Sequence, residues 1–454
     1  MSDARFDAAA LERLTHTLLD IARKAGADSA DAVLVAGDSV SIDVRGGRLE
    51  QAERAEGVEI GLRVLVGRRQ ACVSASDVSE RVMAEMAERA VAMAREAPED
   101  PFAGLADPAQ LARGWDLAAL ELADPAPDPS SAALQSDALA AEAAAKGHAG
   151  ISQVDSSSAS FSRRAFHMAA TNGFSGGYGR TSRSVSCVAI TGTGGGMERD
   201  WAAESRLWQA DLPDAASVGH LAAERTLARA GARKPPTGAF PVLFDERIAS
   251  SLIGHLLAAL NGTAISRGAS WLRGAMGQAV LPPGIDLIED PLRPRISASR
   301  PFDGEGLPTA RRALVADGVL QSWVLDLATG RKLGLPSTAS AARGTGGPPA
   351  PSAGNVALTQ GSASRADLIR DMGTGLLVTS MLGATISATT GDYSRGAAGF
   401  WVENGEIAYP VNECTIAGNL RDMLARITPA NDARAHLSTV VPSLLVEGLT
   451  LAGA

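Results

Sequence analysis

The sequence predicts an α+β protein with a small N-terminal α/β domain, a middle antiparallel segment, and a large C-terminal domain dominated by antiparallel sheet or barrel. Three observations predict it. Helical apolar spacing is confined to a few stretches, as at Leu11, Leu14, Leu18 and Ile21. Between those stretches lie short β-like runs bounded by turn residues. The 48 glycines among 454 residues supply many tight turns, and therefore many hairpins. Apolar residues make up 45% of this long chain, enough for two or three cores. With aromatics at only 4%, those cores must be built from Ala, Leu, Val and Ile.

Residues 1–100 read as the first domain. A helix over 8–24 precedes strand runs at Ala32–Val35, Val40–Val44, Gly57–Val66 and Gln70–Ala75. Gly46-Gly47 and Gly67-Arg68 sit where hairpin turns would fall. A second helix spans Asp77–Arg95, with Asp77 as N-cap and Glu80 three residues on. Residues 101–235 form a linker and middle α+β segment. Pro98–Ser131, rich in Pro, Asp and Ala, is the linker, with a short helix or strand inside it. A helix at Ala132–Lys146, an antiparallel meander of about four strands over Ile151–Arg206 and a helix at Val218–Ala230 follow.

Pro235-Pro236 marks the next boundary, and residues 236–454 form the sheet-rich C-terminal domain. It opens with a strand, Phe240–Phe244, and a strongly apolar helix, Arg247–Leu260. Short strands come after, among them Asn355–Leu358, Gly375–Thr379, Ala384–Thr389, Ala398–Val402 and Glu406–Val411. Glu403-Asn404-Gly405-Glu406 carries a hairpin-turn signal.

Charge and composition exclude several classes. A net charge of −9 and the lack of a long basic run argue against binding a nucleic-acid backbone or an anionic membrane. No apolar run is long enough to span a bilayer. The N-terminus carries Asp3, Asp7 and Glu12 and does not read as a signal peptide. Cys72, Cys187 and Cys414 are scattered and odd in number, which fits a reducing cytoplasm rather than a disulfide framework.

Most catalytic motifs dissolve on inspection. Gly173-Phe174-Ser175-Gly176-Gly177 matches G-x-S-x-G, but a strand-like stretch follows it where a nucleophile elbow needs a helix. It reads as a hairpin turn. Gly192-Thr193-Gly194-Gly195-Gly196 lacks the Gly-Lys-Ser/Thr of a phosphate loop and reads as a turn or bulge. None of the six histidines forms an H-E-x-x-H pair, and His255, inside the apolar helix, reads by default as a core residue. Asp303 and Glu305 could do acid–base work, but turn chemistry explains Asp-Gly-Glu-Gly equally well.

Four stretches in order resemble the TldD/PmbA family, specifically its PmbA (TldE) branch. They are SSLIGHLLAALNGTAISRGASW from Ser250, SRPFDGEGLP from Ser299, RKLGLPST from Arg331, and GDYSRGAAGFWVENGEIAYPVNECTIAGNLRDML from Gly391. The resemblance implies a cytoplasmic, metal-dependent peptidase system acting on small or unfolded peptides. Some members carry an older label as modulators of DNA gyrase. The TldD-type chain has an H-E-x-x-x-H helix and a cysteine near its C-terminus, and works as a heterodimer with the PmbA-type chain. Laid onto this sequence, the three helix positions are Ser250, Ser251 and His255, and Ala433–Leu445 holds no cysteine. Cys414 lies in a different stretch and takes no ligand role.

Serine hydroxyls are poor zinc ligands at neutral pH, and residue 251 supplies no carboxylate base. Residues five apart on a regular helix point about 140° away from each other. An irregular helix with its break at Gly254 is therefore expected. The leading expectation is a subunit that binds no metal alone, pairs with a zinc-bearing TldD-type chain, and helps hold an extended peptide. Arg267, Asp303 and Glu305 are candidate groove residues. The alternatives are an autonomous hydrolase using Ser175 or His255, and a non-proteolytic scaffold, such as a homodimer, that binds peptides or a protein such as gyrase.

Overall fold

The structure is a computed structural model that describes residues 7–453. Met1–Phe6, where the reading of the N-terminus begins, and Ala454 lie outside the described residues. The first half is one antiparallel sheet of six strands in the order β3-β2-β1-β4-β5-β6. These are β1 (Ser29–Arg45), β2 (Arg48–Val66), β3 (Arg69–Ala75), β4 (Ile151–Ala170), β5 (Ser175–Thr191) and β6 (Glu198–Arg206). Strand β1 pairs with β2 on one side and with β4 on the other, from Asp31–Ala170 to Val44–Ser157. The sheet thus runs unbroken from the N-terminal residues into the middle segment.

Two strand expectations are corrected. The runs at Ala32–Val35 and Val40–Val44 are one strand, because Gly37 between them is paired on both sides, with Gly57 and Arg164. Ladder bonds on two sides carry a glycine that propensity alone would treat as a break. Ile151–Arg206 forms three long strands rather than four, since β5 continues through Gly176, Gly177 and Gly179.

Four helices cover one face of this sheet: α1 (Ala8–Lys24), α2 (Glu80–Glu96), α4 (Ser131–Lys146) and α5 (Ala215–Ala228), with a short α3 (Leu117–Leu120) inside the linker. Leu18, Leu19 and Ala22 of α1 and Met83, Ala87 and Ala90 of α2 pack on Leu34, Leu62 and Val64. Leu134, Ala138, Val218 and Ala222 pack on Ile42, Phe161 and Cys187. Helix α2 starts at Glu80, with Ser79 as N-cap in place of Asp77. The Asp77 carboxylate instead accepts the Ser79 N–H at 2.8 Å, two residues too early to cap the helix.

The other face meets the C-terminal domain. Five aromatic residues gather there, Trp115, Phe166, Phe174 and Tyr178 around the buried Phe302. Beside them Asp31 is buried between two guanidinium groups, Arg63 of β2 and Arg343 from the C-terminal domain, the latter at 2.9 Å. The loop carrying Arg343 lies on β2 at Gly61, where a Cβ would fall 2.2 Å from the Thr345 carbonyl.

The C-terminal domain begins with β7 (Gly238–Phe244). With the strands Gly375–Ile386, Asp392–Glu403, Glu406–Asn419 and Leu444–Ala452 it closes into a barrel. The ring is sealed by the pairing of Glu406–Asn419 with Leu444–Ala452. Only the β7–Gly375 strand contact is parallel within that ring. A second sheet of five short strands stands beside it. The predicted hairpin at 403–406 is present, with positive φ at Asn404 (53°) and Gly405 (78°), as a two-residue turn requires.

Candidate functional site on the C-terminal helix

Helix α6 (Glu246–Leu260) leaves the end of β7. Asp245 caps it by accepting the Arg247 N–H, and this buried carboxylate also pairs with the Arg247 and Arg365 guanidinium groups. Ala249, Leu252, Ile253, Leu256 and Leu260 recur at helical spacing and pack into the domain core. Asn261 ends the helix and caps the next, α7 (Gly262–Arg267).

The expected break at Gly254 is absent. The helix is continuous through Ser250–His255, and Gly254 lies on its exposed side with nothing near a would-be Cβ. The evenly spaced apolar face keeps the turn regular, so no residue is left over to bulge. Ser250 and His255 therefore diverge, whereas Ser251 and His255, four apart, share a face. On that face the Ser251 Oγ and the His255 Nε2 are both buried and lack any hydrogen-bond partner. The His255 ring stands edge-on to Tyr393 at 5.9 Å, and the Tyr393 hydroxyl donates to the Met381 sulfur at 3.2 Å. Burial, and then the Arg395 charge, hold the His255 imidazole below its ordinary pKa, so it is neutral at pH 7. Among the described residues no three His, Cys, Asp or Glu side chains are placed to hold a metal ion.

Cys414 is buried, its thiol points at the Ala397 carbonyl, and burial pushes it up to about 11. Cys187 is raised to about 11 for the same reason. In the folded chain at pH 8, both should resist iodoacetamide and become alkylated only on denaturation. Peptide mass mapping checks this, and Cys414 reacting at the rate of a free thiol would contradict it.

The remaining candidates do not join this helix in one site. Arg267 is exposed at the end of α7. Asp303 and Glu305 are buried and turned to backbone amides: Asp303 accepts from Glu305, Leu307 and Ala341, and Glu305 accepts from Leu327 at 2.8 Å. Their carboxyl oxygens fasten loops, as turn chemistry would have it.

Ser175 opens β5 just after the hairpin, without a nucleophile elbow, yet it is not isolated. Its Oγ lies 3.1 Å from His16 Nε2, 3.3 Å from Glu12 Oε1 and 3.5 Å from His167 Nε2. Thr15 Oγ1 holds the far nitrogen of His167 at 2.9 Å. Burial depresses His167 to about 4, so it is a weak base at neutral pH. Glu12 sits on the same side of His16 as the serine, leaving the other ring nitrogen unoriented by it. The cluster therefore lacks the relay of a serine hydrolase. His148 and His220 also meet, at 2.9 Å on the surface. Neither grouping is visible in local sequence, because the partners are far apart along the chain.

Comparison with known proteins agrees with this architecture. Three domains described as PmbA/TldA metallopeptidase match in order: domain 1 over residues 30–94, the central domain over 124–230 and the C-terminal domain over 237–453. The metalloprotease PmbA of Escherichia coli is 36% identical over 444 residues, covering 98% of this chain and 96% of that one. The PmbA homologue of Haemophilus influenzae is 34% identical over 446 residues, with the same coverage. A gyrase-modulator protein from Bacteroides thetaiotaomicron superposes with a TM-score of 0.88 at 26% identity, over 98% of this chain and 99% of that one. TldE from Thermococcus kodakarensis shares the fold, with a TM-score of 0.84 at 18% identity over 97% and 100% of the two chains. With its three domains matched in order and its length spanned by a metalloprotease relative, the chain belongs to the PmbA/TldE family of metallopeptidase-type proteins.

Proposed function

We propose that this chain is the TldE-type subunit of a heteromeric peptidase that cleaves small or unfolded peptides in the cytoplasm, and that the catalytic zinc belongs to a TldD-type partner. One observation carries the proposal. At the three positions where the metal-bearing helix would supply ligands and base, α6 offers two serines and one neutral histidine, with Ser250 and His255 on different faces. A catalytic zinc site takes three good ligands and an open position for water. This donor set does not fit, and the nearby Arg395 charge adds to the mismatch by disfavouring a cation beside His255. The three cysteines are free, in keeping with a reducing compartment.

The test is reconstitution with elemental analysis. Dialysed chain alone is expected to hold essentially no zinc and to leave a casein-derived peptide mixture intact. Adding a TldD-type chain should give cleavage that a chelator abolishes. His255→Ala should leave that cleavage within about twofold, because a residue that is no ligand makes no interaction special to the transition state. A full zinc equivalent in the lone chain, with cleavage lost on His255→Ala, would replace this reading with an independent metallopeptidase.

A further inference from the structure

The ladder between β5 and β6 begins only at Arg183, opposite Arg206. Upstream, Ser175 to Arg180 pair with β4 alone. The pattern of their backbone bonds follows from the hairpin. The Ala170 N–H donates to the Phe174 carbonyl, so Phe174, Gly176, Tyr178 and Arg180 bond toward β4. Ser175, Gly177 and Gly179 consequently turn their N–H and C=O groups to the outer edge. Thr181, next in the outward series, marks the direction by donating to the Leu122 carbonyl at 3.2 Å. Among the described residues, the outward groups of Ser175, Gly177 and Gly179 have no hydrogen-bond partner.

Space and charge lie beside this open edge. One cavity of about 390 Å³ is bounded by Ala8, Leu11, Glu12 and Leu117 together with β5 itself. A second, of about 520 Å³, continues past Leu117 and Ala123 to Trp208. Glu12 stands at the Ser175 end. Arg164 and Arg180, paired across the strands, stand at the other. Arg164 is exposed and in no ion pair among the described residues. Arg180 contacts the Ser299 carbonyl and the Tyr178 ring but no carboxylate, and its Nε is buried without a partner. A half-buried guanidinium with its Nε buried and no counter-charge favours an incoming anion.

We propose that the outer edge of β5 from Ser175 to Gly179 is a docking site for a short extended peptide, which adds as a strand with its terminal carboxylate against Arg164 and Arg180. The charge order fixes the direction: the peptide runs parallel to β5, with its ammonium end at Glu12. Backbone pairing supplies affinity with little regard to sequence, as a subunit that handles varied peptides needs. The stretch from Ser175 to Arg180 spans roughly 16 Å at about 3.3 Å per residue, which suits a peptide of about five residues. The proposal rests on the peptide-handling reading above but uses this chain's own residues and no metal.

Calorimetric titration of the purified full chain with pentaalanine, free at both ends or amidated at the C-terminus, tests it. The free peptide should bind, and amidation should weaken it about tenfold, the scale of one charge-assisted contact. Arg164→Gln should shrink that difference between the two peptides, with Arg180 left to hold the carboxylate alone, and an unchanged difference would overturn the assignment of the carboxylate to this pair. An acidic side chain as the true anion would show instead as a preference for an amidated peptide carrying Glu over amidated pentaalanine, and would overturn the terminal-carboxylate assignment. At Gly179 a Cβ meets only the Arg164 carbonyl, at 3.7 Å, so Gly179→Ala is accommodated and should bind. Gly179→Leu fills the groove and should lose binding while retaining the circular dichroism of the parent. No binding by the parent chain, or unchanged binding by Gly179→Leu, overturns the proposal. If the reconstituted mixture cleaves peptides while the lone chain binds none, the edge proposal falls and the subunit reading stands. If the chain binds as described but no mixture cleaves, the edge proposal stands and the subunit reading falls.

Discussion

Asp31→Ala is expected to destabilise the protein by about 3–5 kcal/mol, the cost of leaving buried charges without their partner. Asp31 is 3% exposed and the side chain of Arg343 is fully buried, so water cannot replace the lost carboxylate. Burial pushes the Asp31 carboxyl up, but Arg63 and Arg343 outweigh it and leave the group below its ordinary value. The sign follows. Stability from this carboxylate is present above the unfolded value near 3.8 and is lost as pH falls through the lower folded value. Denaturant midpoints of the parent and variant measure the loss. Replacing Asp31, Arg63 and Arg343 together by Leu, Met and Met should recover much of it, since an apolar cluster of similar volume has no charge to solvate. A single variant within about 1 kcal/mol of the parent, the range of exposed ion pairs, would show that solvent reaches this site in solution.

Glu305→Gln should act in the opposite direction and depend on pH. Burial, reinforced by neighbouring Asp303, raises the Glu305 carboxyl to about 8 from an ordinary 4.5. Below 4.5 the folded and unfolded chains both hold the proton. Between 4.5 and about 8 the unfolded chain ionises while the folded chain resists, so stability falls as pH rises, levelling above about 8. Glutamine keeps an oxygen for the Leu327 amide and has no proton to lose. The variant should match the parent near pH 5 and exceed it at pH 9 by on the order of a few kcal/mol. Equal midpoints for the two proteins at both pH values would mean that Glu305 is solvated.

The architecture was largely legible because periodicity reports local burial. Leu11, Leu14 and Leu18 announced α1, and Asn404-Gly405 announced its hairpin with a left-handed requirement that few residues meet. What misled was glycine. Gly37, Gly176 and Gly177 read as interruptions, but each is held by strand partners that no local window contains. The site was half legible. The family stretches led to Ser250, Ser251 and His255, while the regularity of α6 depended on packing with strands more than a hundred residues downstream. The grouping of Glu12, His16 and His167 around Ser175 needed the antiparallel return of β4 and β5 beneath α1. Asp303 and Glu305 drew notice as acids, and their fate as buried acceptors was set by amides of Ala341 and Leu327, again remote in sequence.

The central pairing of the first sheet has a consequence for synthesis. Strand β1 ends at Arg45, but its neighbour β4 is complete only at Ala170. At about 5–20 residues per second, a ribosome needs on the order of ten seconds to make the intervening chain. Throughout that interval one long edge of β1 has no native strand to accept its amides, and a bare edge invites pairing with other nascent chains. A chain built this way gains from chaperones that cover a nascent strand edge until β4 is made, and co-expressing such a chaperone should raise its yield in folded form.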